Sequence, residues 1–396
     1  MKRWCAVVVA CGLLAAPYID WQLTAAVPLP GGTVWNMNVP VADAVALLAL
    51  LTSLLTSVPT SMPGLLRRRP DALQVLEGAA WLCLWGIGAF AAHHGDGLPG
   101  AGPDGLHTLV RKPIFLCLAW RLGFAECVRR GALGGRTQST LQGLTVAALL
   151  CAAVLFGSSA ARIGSGEAFW WRAIEGLTNN HKTLAVFLAP LLPLVSLVSW
   201  PAAAAIGVAL VLSWSKAAWV TALYGVGWVV LPRRVRAWSL GAGAAIGLLA
   251  MAALPYLARS VEQIDSLRSR MSLNKRAIAM FWDHPWVGYG AGSNVRYELS
   301  TFPDYRVNGV DAHGVFAKLS SEFGCLGLGA WLVANGAIAL RLSRATCGGA
   351  RASRLDDAIW GCFLALNLNL LTSTETFSQT HWAILGVLTG LSARRR

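Results

Sequence analysis

Apolar stretches that approach 20 residues recur along the whole chain, and no long polar interval separates them. A helix needs about 20 apolar residues to cross the ~30 Å hydrocarbon core of a bilayer. The composition agrees, because 55% of the residues are hydrophobic, 13% are charged and the mean hydropathy is +0.54, whereas soluble globular domains are less apolar. The sequence therefore predicts an all-α, polytopic membrane protein that forms a single domain, residues 1–396.

We predict twelve membrane-spanning helices, whose ends the sequence pattern defines only to within a few residues. The segment 201–214 is short for a crossing, and only Ser215 and Lys216 separate it from the next helix. A re-entrant pair is therefore the alternative for this part of the chain. The predicted spans are residues 4–19, 41–59, 72–92, 112–128, 141–157, 183–199, 201–214, 217–231, 238–257, 314–340, 356–373 and 380–393.

Basic residues fall in every second loop of this arrangement, and such residues beside a span remain on the cytoplasmic side. We therefore predict that both termini are cytoplasmic. The first span also resembles a signal peptide, but the apolar spans that follow favour an uncleaved first helix. The eighteen basic residues are Lys2, Arg3, Arg67, Arg68, Arg69, Arg129, Arg130, Arg136, Arg233, Arg234, Arg236, Arg341, Arg344, Arg351, Arg354, Arg394, Arg395 and Arg396.

Neither a cofactor nor a nucleic-acid partner is expected. The net charge of +14 would suggest nucleic acid in a soluble chain, but here it reflects basic loops beside membrane spans. The nine cysteines map to spans or cytoplasmic loops, so we expect no disulfide. No CxxC or HExxH spacing occurs, and apart from His93-His94 the seven histidines are scattered, so no metal site is indicated.

The largest predicted outer loop, residues 258–313, has about 55 residues, which is too long for a simple connection. Its seven basic residues are nearly balanced by six acidic ones, so charge alone favours a solvated loop. Four further outer cations lie close to span ends, and together they suit a lipid-linked diphosphate. For any one of them, snorkelling at the interface is the alternative. These four are Arg111, Lys112, Lys182 and Lys216.

Short motifs occur in a fixed order between about residues 175 and 330. They are Asn179-Asn180-His181-Lys182-Thr183-Leu184-Ala185, Leu212-Ser213-Trp214-Ser215-Lys216-Ala217-Ala218-Trp219, Arg270-Met271-Ser272-Leu273, Asp283-His284-Pro285-Trp286-Val287-Gly288-Tyr289-Gly290-Ala291-Gly292, Ala312-His313-Gly314, Ser321-Glu322-Phe323-Gly324 and Gly327. In order and spacing they resemble the O-antigen ligase and polymerase superfamily of membrane glycosyltransferases. Lys216 stands where that family usually has Arg, which keeps the charge but loses the bidentate fork.

This resemblance implies a GT-C-like fold in the bacterial inner membrane, with a periplasmic active site. The implied donor is a glycan on undecaprenyl diphosphate, and the implied acceptor is lipid A–core or another glycan. An acceptor hydroxyl would attack the anomeric carbon, so the reaction needs a base and positive charge for the leaving diphosphate. Membrane lipids are a further expected partner.

The resemblance also assigns roles to residues. His313 is the predicted base, because an imidazole with a pKa of about 6.5 has a neutral, proton-accepting fraction at neutral pH. Arg270 is the first choice for the diphosphate contact, and Lys216 is the second. His181, beside Lys182, shapes the start of its helix or the donor pocket. The supporting candidates are Arg276, Arg111 and Lys112.

Other features have structural interpretations. Glu322 follows Lys318 by four residues, a spacing that lets the two side chains pair on one helix. The glycines of 288–292 favour a tight loop over a nucleotide site, because no predicted strand precedes them. Most tryptophans are expected at the membrane interfaces, although Trp170, Trp171 and Trp286 could stack on sugar rings.

Three functions remain open from the sequence: an O-antigen ligase, a polysaccharide polymerase of the same superfamily, and a lipid-linked sugar transporter. A transporter needs charges along a path through the membrane. Few charges lie inside the predicted spans, which disfavours transport. The compact chain with one moderate outer loop favours a ligase over a polymerase. The predicted intramembrane charges are Arg121, Glu126, Lys318 and Glu322.

Overall fold

The structure is a computed structural model, and it describes the chain in separate ranges. They are 22–28, 34–40, 46, 51, 72–94, 121–122, 124–131, 137–164, 181–213, 215–232, 235–236, 238, 265–296, 314–347, 353–371 and 379–392.

Helices dominate the described ranges. An antiparallel hairpin precedes them, with Gln22 opposite Pro40 and Pro28 opposite Val34. It is a departure from the predicted all-α fold. The elements are β1 Gln22–Pro28, β2 Val34–Pro40, α1 Ala72–His94, α2 Phe124–Gly131, α3 Thr137–Gly164, α4 His181–Val198, α5 Trp200–Leu212, α6 Lys216–Val230, α7 Asp265–Asp283, α8 Ser293–Arg296, α9 Val315–Cys347, α10 Arg354–Leu370 and α11 Gln379–Ser392.

Three described helices are long and apolar enough to cross a membrane: Ala72–Ala91, Thr137–Gly157 and Val315–Arg344. Four shorter apolar helices accompany them, Leu184–Val198, Trp200–Leu212, Ala217–Val230 and His381–Ser392. These helices are consistent with the predicted polytopic membrane protein. The predicted span 4–19 lies outside the described residues, and so does 238–257 apart from Trp238. Most of 41–59 and of 112–128 also lies outside them. The count of twelve therefore stays a prediction.

A close contact between glycine backbones sets the packing of α4, α6 and α10. A methyl group at Gly361 of α10 would lie 2.6 Å from the carbonyl oxygen of Gly225 in α6, and one at Gly225 would lie 2.9 Å from Pro193 of α4. Interfaces between membrane helices are rich in small residues because these let backbones approach closely. The three helices therefore meet at one crossing point.

Contacts away from this crossing give the helix directions. Arg236, beyond the end of α6, forms an ion pair of 2.6 Å with Asp357 at the start of α10. Asn369, near the end of α10, donates to the carbonyl oxygen of Val186 in the first turns of α4 at 2.9 Å. Both α4 and α6 are therefore antiparallel to α10, and they are parallel to each other.

The parallel arrangement of α4 and α6 bears on the short helix between them. Ser199 interrupts the helix in an extended conformation, and its side chain accepts from the backbone N–H of Ala202, which caps the start of α5. The chain must then return through α5 from the end of α4 to the start of α6. This path favours two crossings over a re-entrant pair for residues 201–231.

One end of the bundle is joined by buried charges, and we call it the Glu77 end. Glu77 of α1 accepts from Arg121 at 2.7 Å and also pairs with Arg341 near the end of α9. Arg121 donates in addition to the Thr389 hydroxyl of α11 at 2.6 Å. The ion pair of Arg236 with the start of α10 forms part of the same end, because α9 ends and α10 begins there.

We expect Glu77→Ala to destabilise the protein strongly. Removing the carboxylate leaves Arg121, whose side chain is 3% exposed, and Arg341 without their shared counter-ion. Breaking a buried pair in this way costs about 3–5 kcal/mol. Thermal unfolding in detergent measures the change.

The matched control for this substitution is Glu126→Ala. Glu126 also pairs with an arginine, Arg129, but the two side chains are 25% and 30% exposed, and such pairs contribute about 0–1 kcal/mol. Equal unfolding temperatures for the two variants would show that the Glu77 cluster does not stabilise the bundle.

Candidate active site

Two glycine-containing segments pack backbone against backbone, and we call this contact the glycine interlock. Gly288, in the loop after α7, has φ +68° and Gly324, within α9, has φ +62°. A methyl group at Gly288 would lie 2.5 Å from the backbone nitrogen of Phe323, and one at Gly324 would lie 2.6 Å from that of Val287. Only glycine satisfies both the conformation and the space at these two positions.

The interlock depends on a break in α9 at Gly324, where the backbone is not helical. In an uninterrupted helix the carbonyl oxygens of Ser321 and Glu322 would accept from the N–H groups of Cys325 and Leu326. The break releases these two acceptors and two donors. Unsatisfied backbone groups are costly in the interior of a membrane protein, so they need other partners.

The loop after α7 supplies all four partners. Each carbonyl released by the break accepts from a loop N–H, and each released N–H donates to a loop carbonyl. The bonds are Tyr289 N to Ser321 O at 3.0 Å, Gly290 N to Glu322 O at 2.8 Å, Cys325 N to Pro285 O at 2.8 Å and Leu326 N to Trp286 O at 3.2 Å. The two motifs therefore complete each other, and the loop is fixed to the first turns of α9.

Side chains extend the same attachment. Asn294 of α8 is buried and donates from its amide to the hydroxyl of Ser321, which in turn donates to the carbonyl oxygen of Ala317 at 2.8 Å. The glycines of 288–292 thus form a tight turn against a helix, as expected, and the element directly before them is helix α7. Neither the role of Asn294 nor the break at Gly324 was predicted, since both depend on which distant segments meet.

Helix α7, which precedes the loop of the glycine interlock, contains two predicted site residues, Arg270 and Arg276. Its buried face includes Leu273, Ala277 and Met280, at a spacing that returns to one side of a helix, and Arg276 lies among them with 1% exposure. Arg270 lies in α7, nearly two turns before Arg276. The side chain of Arg270 is outside the described part of the structure.

The starts of α4 and α9 meet at the end of α10, and we call this the Gly314 end. Gly314 precedes α9 with φ +99°, and a methyl group there would lie 2.8 Å from the carbonyl oxygen of Leu371. Asn369, two residues earlier, is the residue bonded to Val186 of α4. The Gly314 end lies opposite the Glu77 end, because α9 begins at the former and reaches Arg341 at the latter.

Helix α6 begins at about the same level. From the crossing with Gly361, α10 runs nine residues to Leu370, and α6 runs nine residues back from Gly225 to its first residue, Lys216. With a rise of 1.5 Å per residue, both distances are about 13 Å. The backbone of Lys216 is therefore level with the Gly314 end.

Several predicted site residues thus lie on elements that the structure brings together. His181 and Lys182 are the first residues of α4, and Lys216 is the first of α6; their side chains are not described. His313, Arg111 and Lys112 lie outside the described residues, although Gly314, next to His313 in sequence, belongs to the Gly314 end. The predicted pairing of Lys318 with Glu322 stays a prediction; the structure shows both of them buried.

Comparison with known proteins agrees with the motifs. A family model described as O-antigen ligase matches residues 201–332, about a third of the chain. The match includes α5, α6, α7, the glycine interlock and the first half of α9. It confirms the similarity to the O-antigen ligase and polymerase superfamily that the sequence indicated. No curated protein matches the chain.

Proposed function

We propose that the protein is a membrane glycosyltransferase of the O-antigen ligase type. It transfers a glycan from undecaprenyl diphosphate to lipid A–core or a related surface acceptor, at the periplasmic face of the bacterial inner membrane. The glycine interlock carries this proposal. It joins the motif around Gly288 to the motif around Gly324 in α9, and both lie within the residues that the family model matches. The starts of α4, α6 and α9, which contain or adjoin the other predicted site residues, lie at the nearby Gly314 end.

The distribution of charge supports the periplasmic placement. The Glu77 end includes Arg236 and Arg341, which belong to the basic loops of the cytoplasmic side in the proposed topology. The Gly314 end is the opposite one. In this topology it faces the periplasm, together with residues 258–313, the proposed large loop that contains α7 and the glycine loop.

The proposed reaction is a single displacement. The acceptor hydroxyl oxygen attacks the anomeric carbon, His313 takes the hydroxyl proton, and the bond from that carbon to the diphosphate oxygen breaks. Undecaprenyl diphosphate leaves with the electron pair of that bond. One displacement inverts the anomeric configuration, and no metal is required, because fixed cationic side chains stabilise the leaving diphosphate.

The charged residues have different proposed roles in donor binding. Arg270 and Lys216 contact the diphosphate in this proposal, and the 1% exposure of Arg276 favours Arg270 over it as the direct contact. Arg276 is buried between α7 and α9, so in this proposal it supports the diphosphate site with its charge and without direct contact. The remaining proposed contributors to the donor pocket are His181, Lys182, Arg111 and Lys112.

We expect Arg270→Lys to be nearly as inactive as Arg270→Ala. A lysine keeps the charge but not the bidentate fork that matches two phosphate oxygens, so the loss measured as kcat/KM is about 10-fold or more for both variants. Lys275→Ala, an exposed cation on the same helix, is the control and should retain activity. Wild-type turnover in Arg270→Lys would remove Arg270 from the diphosphate site.

Reconstitution tests the proposed function. Purified protein in liposomes receives an undecaprenyl-diphosphate-linked glycan, with and without lipid A–core, in the presence of a chelator. Glycan on lipid A–core is the expected product. Longer lipid-linked chains without that acceptor would identify a polymerase instead, and glycan movement across the membrane with no transfer would identify a transporter.

A further inference from the structure

An exposed group of aromatic and polar side chains lies at the junction of α7 and the glycine loop. We call it the aromatic platform, and it consists of Trp282, Asp283, His284, Trp286 and Tyr289. Trp282 is 72% exposed and Trp286 is 68% exposed. Asp283 and His284, between them in sequence, are exposed as well. Indole rings with this exposure are open to contact with a partner, either the membrane interface or a bound ligand.

The platform is held in place by its own contacts and by the interlock. The Tyr289 hydroxyl donates to Asp283 Oδ2 at 3.2 Å, and the rings of His284 and Tyr289 meet edge to face with centroids 4.4 Å apart. The backbone of Tyr289 is fixed to Ser321 of α9. A rigid surface loses little conformational entropy when a ligand binds, which favours its use in recognition.

The mixture of groups indicates what the platform binds. Flat indole faces offer apolar contact to one side of a pyranose ring, while the Asp283 carboxylate and the His284 imidazole offer hydrogen bonds to its hydroxyls. The exposed carboxylate argues against a place in the hydrocarbon core, so the platform lies at or beyond the membrane surface, where a glycan can reach it. The platform also adjoins the glycine interlock, which we assign to the transfer reaction.

We propose that the aromatic platform binds a sugar ring of the glycan substrate and so positions that substrate for transfer. The inference rests on the proposed function, because it assigns a subsite to the same reaction. The sugar belongs either to the lipid-linked donor or to the acceptor. The chemistry of recognition is the same for both, so the experiment has an arm for each.

Substitutions of Trp286 separate sugar stacking from membrane anchoring. Trp286→Phe keeps a flat ring, whereas Trp286→Leu keeps an apolar side chain but cannot stack. We expect KM for one glycan substrate to rise about 3- to 10-fold in the Leu variant, with kcat nearly unchanged and with recovery in the Phe variant. Trp238→Ala removes an 80% exposed tryptophan beyond α6, near Arg236, and is the control.

The two arms vary one substrate at a time. In the first, the donor concentration varies at saturating lipid A–core; in the second, the lipid A–core concentration varies at saturating donor. A rise in KM in one arm identifies the sugar that the platform binds. Equal loss in the Phe and Leu variants, or unchanged KM in all variants while the wild type transfers glycan, would overturn the inference alone.

A binding measurement keeps the inference testable if the wild type shows no transfer. Its probes are the core oligosaccharide and the long-chain polysaccharide released from the lipopolysaccharide of the source bacterium. Saturation-transfer NMR is expected to show contact with one probe in the wild type and Trp286→Phe, and weaker contact in Trp286→Leu. The same signal in all three proteins would exclude a sugar site at the platform.

Discussion

His313→Ala is expected to remove most of the glycosyl transfer while leaving the protein folded in the membrane. The acceptor hydroxyl is a weak nucleophile until a base takes its proton, and a positioned general base typically contributes about 10²–10⁴-fold. We expect kcat to fall by that factor in reconstituted liposomes, with little change in KM for the donor. The substitution is expected to remove the base without changing the packing of the helices, so the unfolding temperature in detergent should match that of the wild type.

His284→Ala is the matched control for this prediction. His284 is exposed on the aromatic platform rather than adjacent to Gly314, so its loss should affect KM more than kcat. Comparable kcat values for His313→Ala and the wild type would exclude His313 as the base. A fall in unfolding temperature that parallels the fall in kcat would instead indicate a structural role for His313.

Gly288→Ala is expected to displace the glycine loop and to abolish transfer. The positive φ costs about 1–2 kcal/mol for a residue with a side chain, and the methyl group would overlap the backbone of Glu322 and Phe323. Overpacking of this kind adds about 1–3 kcal/mol. A shift of about 1 Å near a reacting centre can cost about 10²-fold in rate, so we expect at least that loss in kcat/KM.

Gly292 provides a control in the same loop. It also has a positive φ, +78°, but a methyl group there meets nothing within 4 Å. Gly292→Ala should therefore show only the conformational cost of about 1–2 kcal/mol and keep most of its activity. If both variants are equally active, the contact between the loop and α9 does not position the site.

The helices of this protein could be predicted from its sequence because each is a local feature. The predicted spans 72–92, 183–199 and 356–373, for example, agree to within three residues at each end with the helices of the structure. Apolar residues continuous over about 20 positions determine such elements without reference to the rest of the chain. The β1–β2 hairpin, by contrast, was not predicted, although apolar and polar residues alternate from Trp35 to Val39 in β2, because so short a pattern is weak beside the long apolar stretches that follow it.

The arrangement of the site was only partly predictable. The motifs around Gly288 and Gly324 were recognised, but their 36-residue separation concealed that one fills the break in the other. The exchange of four backbone hydrogen bonds depends on tertiary packing, and no local pattern encodes it. The same holds for the Glu77 cluster, in which Arg121 and Arg341 come from distant helices.

In the proposed mechanism the lipid diphosphate binds at the Gly314 end, and photo-crosslinking can locate it. A donor with a diazirine on the isoprene unit next to the diphosphate is bound in liposomes, irradiated and mapped by mass spectrometry. We predict crosslinks to the first turns of α4, α6 and α9, with loss of these in Arg270→Ala. Crosslinks concentrated at the Glu77 end, around Arg341 and Asp357, would contradict the account.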